Sequence, residues 1–298
     1  MNLLSSVRSL TSRRPRTLIL AVTGILSVLF LAPRKGDEGP DPLPDPKASS
    51  PIVIAPRVPL RMIFRPLFKT PDHEFAAGAA FLARVPFCSD PILFSALQNI
   101  GPAGGYYTQV LGSNLDDMVS GIELREAYTG EKMLSPEIEP LTIPAAAPLG
   151  TPSEAGDVAA FRARGSAHLE SGFLSEDATP PPPGSHIWLA FGASPSNDVS
   201  ASGTPDKGLP RIHHGFVTES RDGLLYYTLD DPAVPLRGSC GAPLIAEGGR
   251  IVGIHLGATT GGGKTHAIAT PVSRFLPALR NACQPAAQTA STGRKAQN

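Results

Sequence analysis

The chain has 298 residues, enough for one or two domains with a sizeable core. Lysine plus arginine and aspartate plus glutamate balance at 26 each, so no basic excess indicates a nucleic-acid partner. The three cysteines exclude a disulfide-rich framework and a cysteine-rich zinc site, and we predict no metal and no cofactor. The 32 prolines and 30 glycines favour many short strands over long helices.

The N-terminus has the pattern of an export signal. Four arginines and no acid precede residues 17–32, which form an uncharged and largely apolar run. No small-residue cleavage site follows the run, so we predict that residues 1–35 are an uncleaved signal anchor, with a cleaved signal peptide as the alternative. The arginine excess would hold the N-terminus in the cytoplasm. The remaining chain is then expected to be membrane-anchored and extracytoplasmic (periplasmic or at the cell surface), or secreted.

A proline-rich linker is predicted to follow over residues 36–70. Its first part has almost no apolar residues and cannot bury a core, whereas residues 51–70 could also form an edge strand. The folded domain is predicted over residues 71–283, and residues 284–298 are predicted to be a disordered tail.

Short strands separated by turn residues are predicted throughout this domain. Glu74 to Val85 is predicted to be one strand and Pro91 to Ile100 a second. In the second half, Asp222-Gly223 is the signal for a hairpin turn. A final helix is predicted over residues 272–283, because a proline in the preceding position suits the first turn of a helix.

A small-residue turn, Gly238-Ser239-Cys240-Gly241-Ala242-Pro243, precedes two apolar strands. Glycines beside a nucleophile allow a tight bend and leave amide groups free to face a developing oxyanion. The stretch resembles the nucleophile loop of chymotrypsin-fold (trypsin-like) proteases, and with cysteine in place it is most similar to the viral cysteine proteases of that fold. The resemblance implies that Cys240 is the nucleophile and that the amides of Gly238 and Cys240 form an oxyanion hole. The alternatives are a buried cysteine in a glycine-rich hairpin, and Ser239 as the nucleophile, one residue early.

Two further segments extend the resemblance to the remaining triad positions. Residues 78–83 and 92–98 follow the family segment that ends in the catalytic histidine, but Gln98 stands in the histidine position. An amide side chain cannot accept the proton of the nucleophile. Residues 155–162 resemble the strand that carries the family aspartate, which implies that Asp157 holds that position. An aspartate that only caps a turn is the alternative.

The resemblance implies an all-β fold, a double antiparallel β-barrel of chymotrypsin type with a C-terminal helix. The barrels would span about 73–165 and 183–270. In the viral enzymes, a segment similar to Gly253-Ile254-His255-Leu256-Gly257 recognises a glutamine side chain. By this resemblance His255 lines a substrate-binding pocket, with Val234 near its base. A tolerated strand histidine is the alternative.

Three functions stay open. The first is a degenerate peptidase-fold protein that keeps a groove for an extended peptide or protein. The second is an active cysteine endopeptidase that uses Cys240 and a histidine not identified by position. The third is a non-catalytic scaffold module of a cell envelope. Residues 259–265 resemble a phosphate-binding loop, but Ala258 stands where that motif needs glycine six residues before Lys264, and no helix is predicted to follow. A nucleotide site is therefore not predicted. The sequence does not decide whether Cys88 pairs with Cys283.

Overall fold

A computed structural model describes residues 53–127, 129–133, 136–192, 211–261 and 264–284. The predicted signal anchor, most of the predicted linker and the predicted tail lie outside these ranges. Within them, no helix is both long enough and apolar enough to span a membrane.

The described chain is mostly β-structure with a barrel and few helices. The first half contains β1 (Ile63–Lys69), β2 (Glu74–Ala76), β3 (Ala80–Arg84), β4 (Ile92–Ser95), α1 (Leu115–Met118), β5 (Gly121–Glu126), β6 (Glu137–Leu141), β7 (Ala159–Arg164) and β8 (Gly172–Leu174). The second half contains β9 (His186–Phe191), β10 (Arg211–Arg221), β11 (Leu224–Leu229), β12 (Pro243–Ala246), β13 (Arg250–Gly261), β14 (Lys264–Pro271) and α2 (Val272–Cys283).

The second half closes into a six-stranded antiparallel barrel. Its strands pair in the order β12-β9-β10-β11-β14-β13, and β13 pairs again with β12. Side chains alternate along β11, so Leu225, Tyr227 and Leu229 point inward. They pack into one apolar cluster with inward residues of the neighbouring strands. The predicted hairpin turn is confirmed, and both Asp222 (φ 53°) and Gly223 (φ 71°) have the left-handed conformation that this turn needs.

The first half is an open ladder in the order β5-β1-β3-β4-β7-β6, with no strand pairing between β5 and β6 in its described part. Its core is rich in fully buried phenylalanines: Phe64, Phe68, Phe81, Phe94 and Phe161. The short strand β8 then pairs in parallel with β3 of this half and with β13 of the barrel.

The predicted linker boundary at residue 70 is wrong, because β1 lies inside it. Met62, Phe64 and Phe68 are buried, and β1 pairs with β2, β3 and β5. Pro66 masked this strand in the sequence, since proline cannot donate a ladder hydrogen bond and argues against an interior strand. The folded domain therefore begins before residue 71.

Two predicted strands are shorter than expected. The strand predicted from Glu74 breaks after Ala76 and resumes as β3, with Gly78 in the left-handed conformation (φ 61°) between them. The strand predicted from Pro91 ends at Ser95, and a 3₁₀ turn over Leu97–Ile100 follows. Both breaks lie beside the loop that carries Cys240, which is described below.

Helix α2 is confirmed with the predicted bounds and returns to the first half of the chain. The ring of Phe275 lies 5.8 Å from that of Phe94, and Leu279 is buried in the same core. A disulfide between Cys88, in the turn after β3, and Cys283, the last residue of α2, joins positions 195 residues apart. The last helix is thus covalently bound to the first half.

Candidate functional site

The predicted nucleophile loop, residues 236–242, lies in the connection from β11 to β12. Gly238 (φ 82°) and Gly241 (φ 92°) have left-handed conformations that other residues rarely adopt. The Gly241 amide donates to the carbonyl of His255 (2.7 Å), which fixes the loop against β13. Among the described residues, the amides of Gly238 and Cys240 donate to no other residue. The predicted oxyanion hole stays a prediction.

The first half of the chain holds this loop by the Cys240 carbonyl. That oxygen accepts hydrogen bonds from the Ala79 amide (2.8 Å) and from the side-chain amide of Asn99 (2.8 Å). Asn99 is buried and also donates to Ser95 Oγ (3.1 Å). A Cβ atom on Gly78 would lie 2.4 Å from the Cys240 carbonyl oxygen, so glycine is required at this approach. The strand break between β2 and β3 therefore allows the chain to approach the Cys240 carbonyl closely.

The Cys240 thiol and the Gln98 amide share one acceptor. Cys240 Sγ donates to the Leu256 carbonyl (2.9 Å), and Gln98 Nε2 donates to the same oxygen (2.5 Å). Burial, and then the charge of Asp157, raise the pKa of the Cys240 thiol above its ordinary value. The sulfur is therefore a protonated thiol at neutral pH and a weak nucleophile.

Asp157 lies beneath Gln98 and bonds to its backbone. Asp157 Oδ1 accepts from the Gln98 amide (3.0 Å) and Oδ2 from the Leu149 amide (2.8 Å). Burial raises the pKa of this carboxyl to about 6, and the backbone donors offset only part of that effect. The structure thus brings Gln98, Asp157 and Cys240 together in one cluster, but no side-chain hydrogen bond links them in series.

No histidine takes over the base position. The only hydrogen bond of Cys240 Sγ within the described ranges is to the Leu256 carbonyl. His255 is adjacent in sequence, but it is fully buried and burial lowers its pKa to about 3. His213 and His214 alternate across β10, facing Phe191 and His186 respectively. This part of the chain offers no support for an active enzyme with a substitute histidine.

His255 is bound on one side and unsatisfied on the other. Its Nδ1 lies 2.7 Å from the hydroxyl of Tyr227, which is itself fully buried. Its Nε2 is buried with no hydrogen bond of normal geometry, although the Ile268 backbone interacts with the imidazole and offsets a small part of the lowering of its pKa. If the tyrosine hydroxyl donates to Nδ1, then Nε2 carries the proton and needs an acceptor. Val234 is buried in the apolar barrel cluster that also contains Tyr227, and its role in a pocket stays a prediction.

The sequence reasoning missed Tyr227, Asn99 and the Leu256 carbonyl. Asn99 and Leu256 act through residues more than 140 positions away, so no local pattern identifies them. Tyr227 could have been identified from the sequence, because it alternates with leucines on the inward face of β11. A buried tyrosine hydroxyl usually forms a hydrogen bond, so this pattern predicts a polar partner inside the barrel. Within the described ranges, no group of three or more histidine, cysteine, aspartate or glutamate side chains is arranged to hold a metal ion.

No protein-family model and no curated protein matches the chain. Solved structures that it resembles include an HtrA-type protease and a serine endoprotease. The HtrA-type protease AlgW with a tripeptide is 11% identical, with a TM-score of 0.45, over 76% of this chain and 61% of that one. The serine endoprotease of Yersinia pestis is 12% identical, with a TM-score of 0.46, over 75% and 63%. An inactive mutant of the M. tuberculosis protein Rv3671c is 13% identical, with a TM-score of 0.42, over 76% and 89%. The chain spans about three fifths of the length of the first two.

Proposed function

We propose that this protein is a degenerate peptidase-fold protein that binds an extended peptide without cleaving it. The observation that carries the proposal is the triad cluster in which Gln98 stands where a base is needed. Asp157 bonds the backbone of Gln98 as a support for that position, and Cys240 follows in the loop. General-base assistance contributes roughly 10²–10⁴-fold to such reactions, and a glutamine amide supplies none of it.

A free strand edge supports peptide binding. Up to His255, β13 is hydrogen-bonded on one side to the nucleophile loop and β12. From Gly257 to Thr259, its described pairing is with β14 alone. Ala258 and Thr259 are exposed, so their strand edge is accessible to another backbone. A peptide added as a strand at such an edge gains main-chain hydrogen bonds. Its amides would compete with Gln98 for the Leu256 carbonyl.

The unsatisfied nitrogen of His255 supports a polar specificity for the peptide. A buried donor without a partner costs about 1–3 kcal/mol, and an entering acceptor recovers that energy. Burial keeps the imidazole neutral at physiological pH. A neutral donor suits the carbonyl oxygen of a glutamine side chain, consistent with the resemblance of residues 253–257 to the viral enzymes. We therefore propose glutamine as the preferred side chain at this position.

The proposed location is outside the cytoplasm, with an anchor formed by residues 17–32. The disulfide between Cys88 and Cys283 supports this location, since disulfides persist in oxidising compartments and are rare in the cytosol.

The test measures binding and cleavage separately on the full chain in detergent. Fluorescent nonapeptides with a central glutamine, or with alanine in its place, are followed by anisotropy for binding and by mass spectrometry for cleavage. We expect the glutamine peptides to bind more tightly and no peptide to be cleaved. Tyr227→Phe should reduce the preference for glutamine, whereas Tyr226→Phe, the adjacent residue of β11 that points outward, should keep it.

Three results would contradict the proposal. Robust cleavage that Cys240→Ala abolishes would make the protein an active cysteine endopeptidase. A chain that binds none of the peptides would favour the envelope scaffold. Equal affinity for glutamine and alanine peptides would refute the role of His255 but would still support a groove that binds peptides.

A further inference from the structure

Four aromatic rings form a ladder in the first half: His73, Phe75, Tyr106 and Tyr107. The two middle rings are buried, and His73 and Tyr107 at the ends are exposed. The ring centroids of Phe75 and Tyr106 are 5.5 Å apart and nearly parallel, and those of Tyr106 and Tyr107 are 4.7 Å apart. The outermost ring, Tyr107, is 75% exposed, yet its hydroxyl donates a hydrogen bond to the carboxylate of Asp72. A large ring is therefore fixed in place with one face toward solvent.

Asp72 is an anion held by neutral donors only. Its carboxylate also accepts from Thr70 Oγ1 (3.1 Å) and from the Tyr106 hydroxyl (3.3 Å). The hydrogen bond from Tyr107, followed by those from Thr70 and Tyr106, lowers the pKa of this carboxyl. No cationic group of the described residues lies within ion-pair distance of Asp72, whereas nearby Glu74 is paired with Lys69 (3.5 Å). The carboxylate at the hydroxyl edge of the Tyr107 ring therefore forms no ion pair with any described residue.

Other surface rings of the same chain are covered by an arginine. Arg221 lies 4.7 Å from the centroid of Tyr226, Arg250 lies 5.2 Å from that of Phe173, and Arg280 lies 5.1 Å from that of Phe87. In the described part of the chain, Tyr107 has the most exposed ring and no cation over its face. An aromatic face backed by a carboxylate attracts a guanidinium or ammonium group.

The ladder lies close to the nucleophile loop. A Cβ on Gly104 would lie 3.0 Å from that of Ala77, so the loop that carries Tyr106 packs directly on the segment after β2. Phe75 of the ladder is four residues before Ala79, whose amide bonds to the Cys240 carbonyl. Four extended residues span at most about 14 Å. The two ring-to-ring steps from Phe75 to Tyr107 add at most about 10 Å. An extended peptide seated beside Cys240 can therefore reach Tyr107 within roughly seven residues.

We propose that Tyr107 and Asp72 bind an arginine side chain of the peptide that occupies the groove. The guanidinium stacks on the free face of the Tyr107 ring, and one of its N–H groups reaches the remaining acceptor site of the Asp72 carboxylate. Arginine is chosen over lysine because its planar group can stack and donate at once. The inference rests on the proposed function and names a second feature of the peptide it binds.

The test scans arginine through a 17-residue peptide with a central glutamine, using citrulline as a neutral isostere at each position. We expect arginine to bind roughly two- to fivefold more tightly than citrulline at one position within roughly seven residues of the glutamine. Tyr107→Ala and Asp72→Asn should each remove that preference and leave the citrulline peptides almost unchanged. Tyr226→Ala, which removes the ring under Arg221, is the control and should keep the preference. Salt should weaken only the arginine peptides.

Equal binding of arginine and citrulline peptides at every position would overturn the inference while the groove itself stands. An equal loss for both peptides in Tyr107→Ala would also overturn it, because the residue would then be structural. If no peptide binds, the proposed function fails, and the side-chain site is tested directly with N-acetylarginine amide by NMR. Shifts confined to the Tyr107 ring and absent with the citrulline analogue would support it, and no shift would refute it.

Discussion

The two halves of the domain contribute to the site in different ways. The second half is a closed barrel that carries the complete nucleophile loop, with Gly238, Cys240 and the pair of Tyr227 and His255. The first half is an open ladder that supplies Gln98 and the buried bonds that hold the Cys240 carbonyl. The two halves thus meet at one cluster, to which the barrel contributes Cys240 and the open ladder contributes Gln98 and Asp157. Four predictions test this difference between the halves.

The largest effect is expected from the disulfide. Closing a loop of 195 residues restricts the unfolded chain by about 5 kcal/mol in the chain-entropy model. The double variant Cys88→Ser/Cys283→Ser should lose up to that much free energy of unfolding in urea. Hydrogen exchange should rise in β3, β4 and α2 before the barrel strands lose protection. An unchanged urea midpoint, or an equal loss of hydrogen-exchange protection in both halves, would contradict the prediction. Wild-type protein treated with reductant is the matched control.

The next effect is a gain of function. In Gln98→His, an imidazole would stand over Asp157 and beside Cys240, and general-base assistance should raise the rate of peptide hydrolysis by roughly 10²–10⁴-fold. The measurement is turnover of the bound glutamine peptide by mass spectrometry. Gln98→Asn and the double variant Gln98→His/Cys240→Ala should both stay inactive. A folded Gln98→His protein that binds peptide without turnover would show that the barrel side has also lost a necessary feature.

Asp157 should make the stability of the first half depend on pH. Its folded pKa of about 6 lies above the ordinary value near 3.8, so the folded state holds the proton more tightly. The stabilisation is fully present below about pH 3.8 and is lost as pH rises through about 6, a change of about 3 kcal/mol. The difference in unfolding free energy between wild type and Asp157→Asn should fall by about 2 kcal/mol from pH 4 to pH 6.5, because neither limit is reached within this range. A difference that is flat or rises with pH would contradict the assignment.

The smallest effect concerns the thiol itself. Because burial and Asp157 raise the pKa of Cys240, alkylation by iodoacetamide should have its midpoint above the free-thiol value of about 8.5. Asp157→Asn removes the second cause and should lower the midpoint. A wild-type midpoint well below 8.5 would reveal a base or dipole near the sulfur and would bring the active endopeptidase forward.

Local signals predicted the parts of the fold that depend on neighbouring residues. The Asp222-Gly223 turn, the bounds of α2 and the nucleophile turn follow from glycine, proline and alternation. The linker boundary failed because Pro66 argues against a strand, and tertiary pairing on both sides of β1 overrides that preference. The breaks at Gly78 and after Ser95 could not be predicted, because they depend on contacts with residues far away in the sequence. Gly78 packs against the Cys240 carbonyl, and Asn99, which follows the second break, donates to Ser95.

Within the site, the resemblance of three segments to those of trypsin-like proteases predicted that Gln98, Asp157 and Cys240 lie together. They were not sufficient to show that Gln98 and Cys240 share the Leu256 carbonyl, because that acceptor is a backbone atom and carries no residue signature. The environment of His255 depended in the same way on a contact with Tyr227.

The covalent bond between Cys88 and Cys283 also decides how the domain responds to proteolysis. Nearly all of the folded domain after β3 lies inside the closed loop. A single cut at any peptide bond within this loop produces two fragments that remain joined and migrate as one species until a reductant is added. A molecule cut once within this loop therefore keeps Gln98 and Cys240 in one covalently joined species. In an environment rich in proteases, the two parts of the site stay together after the backbone has been cleaved.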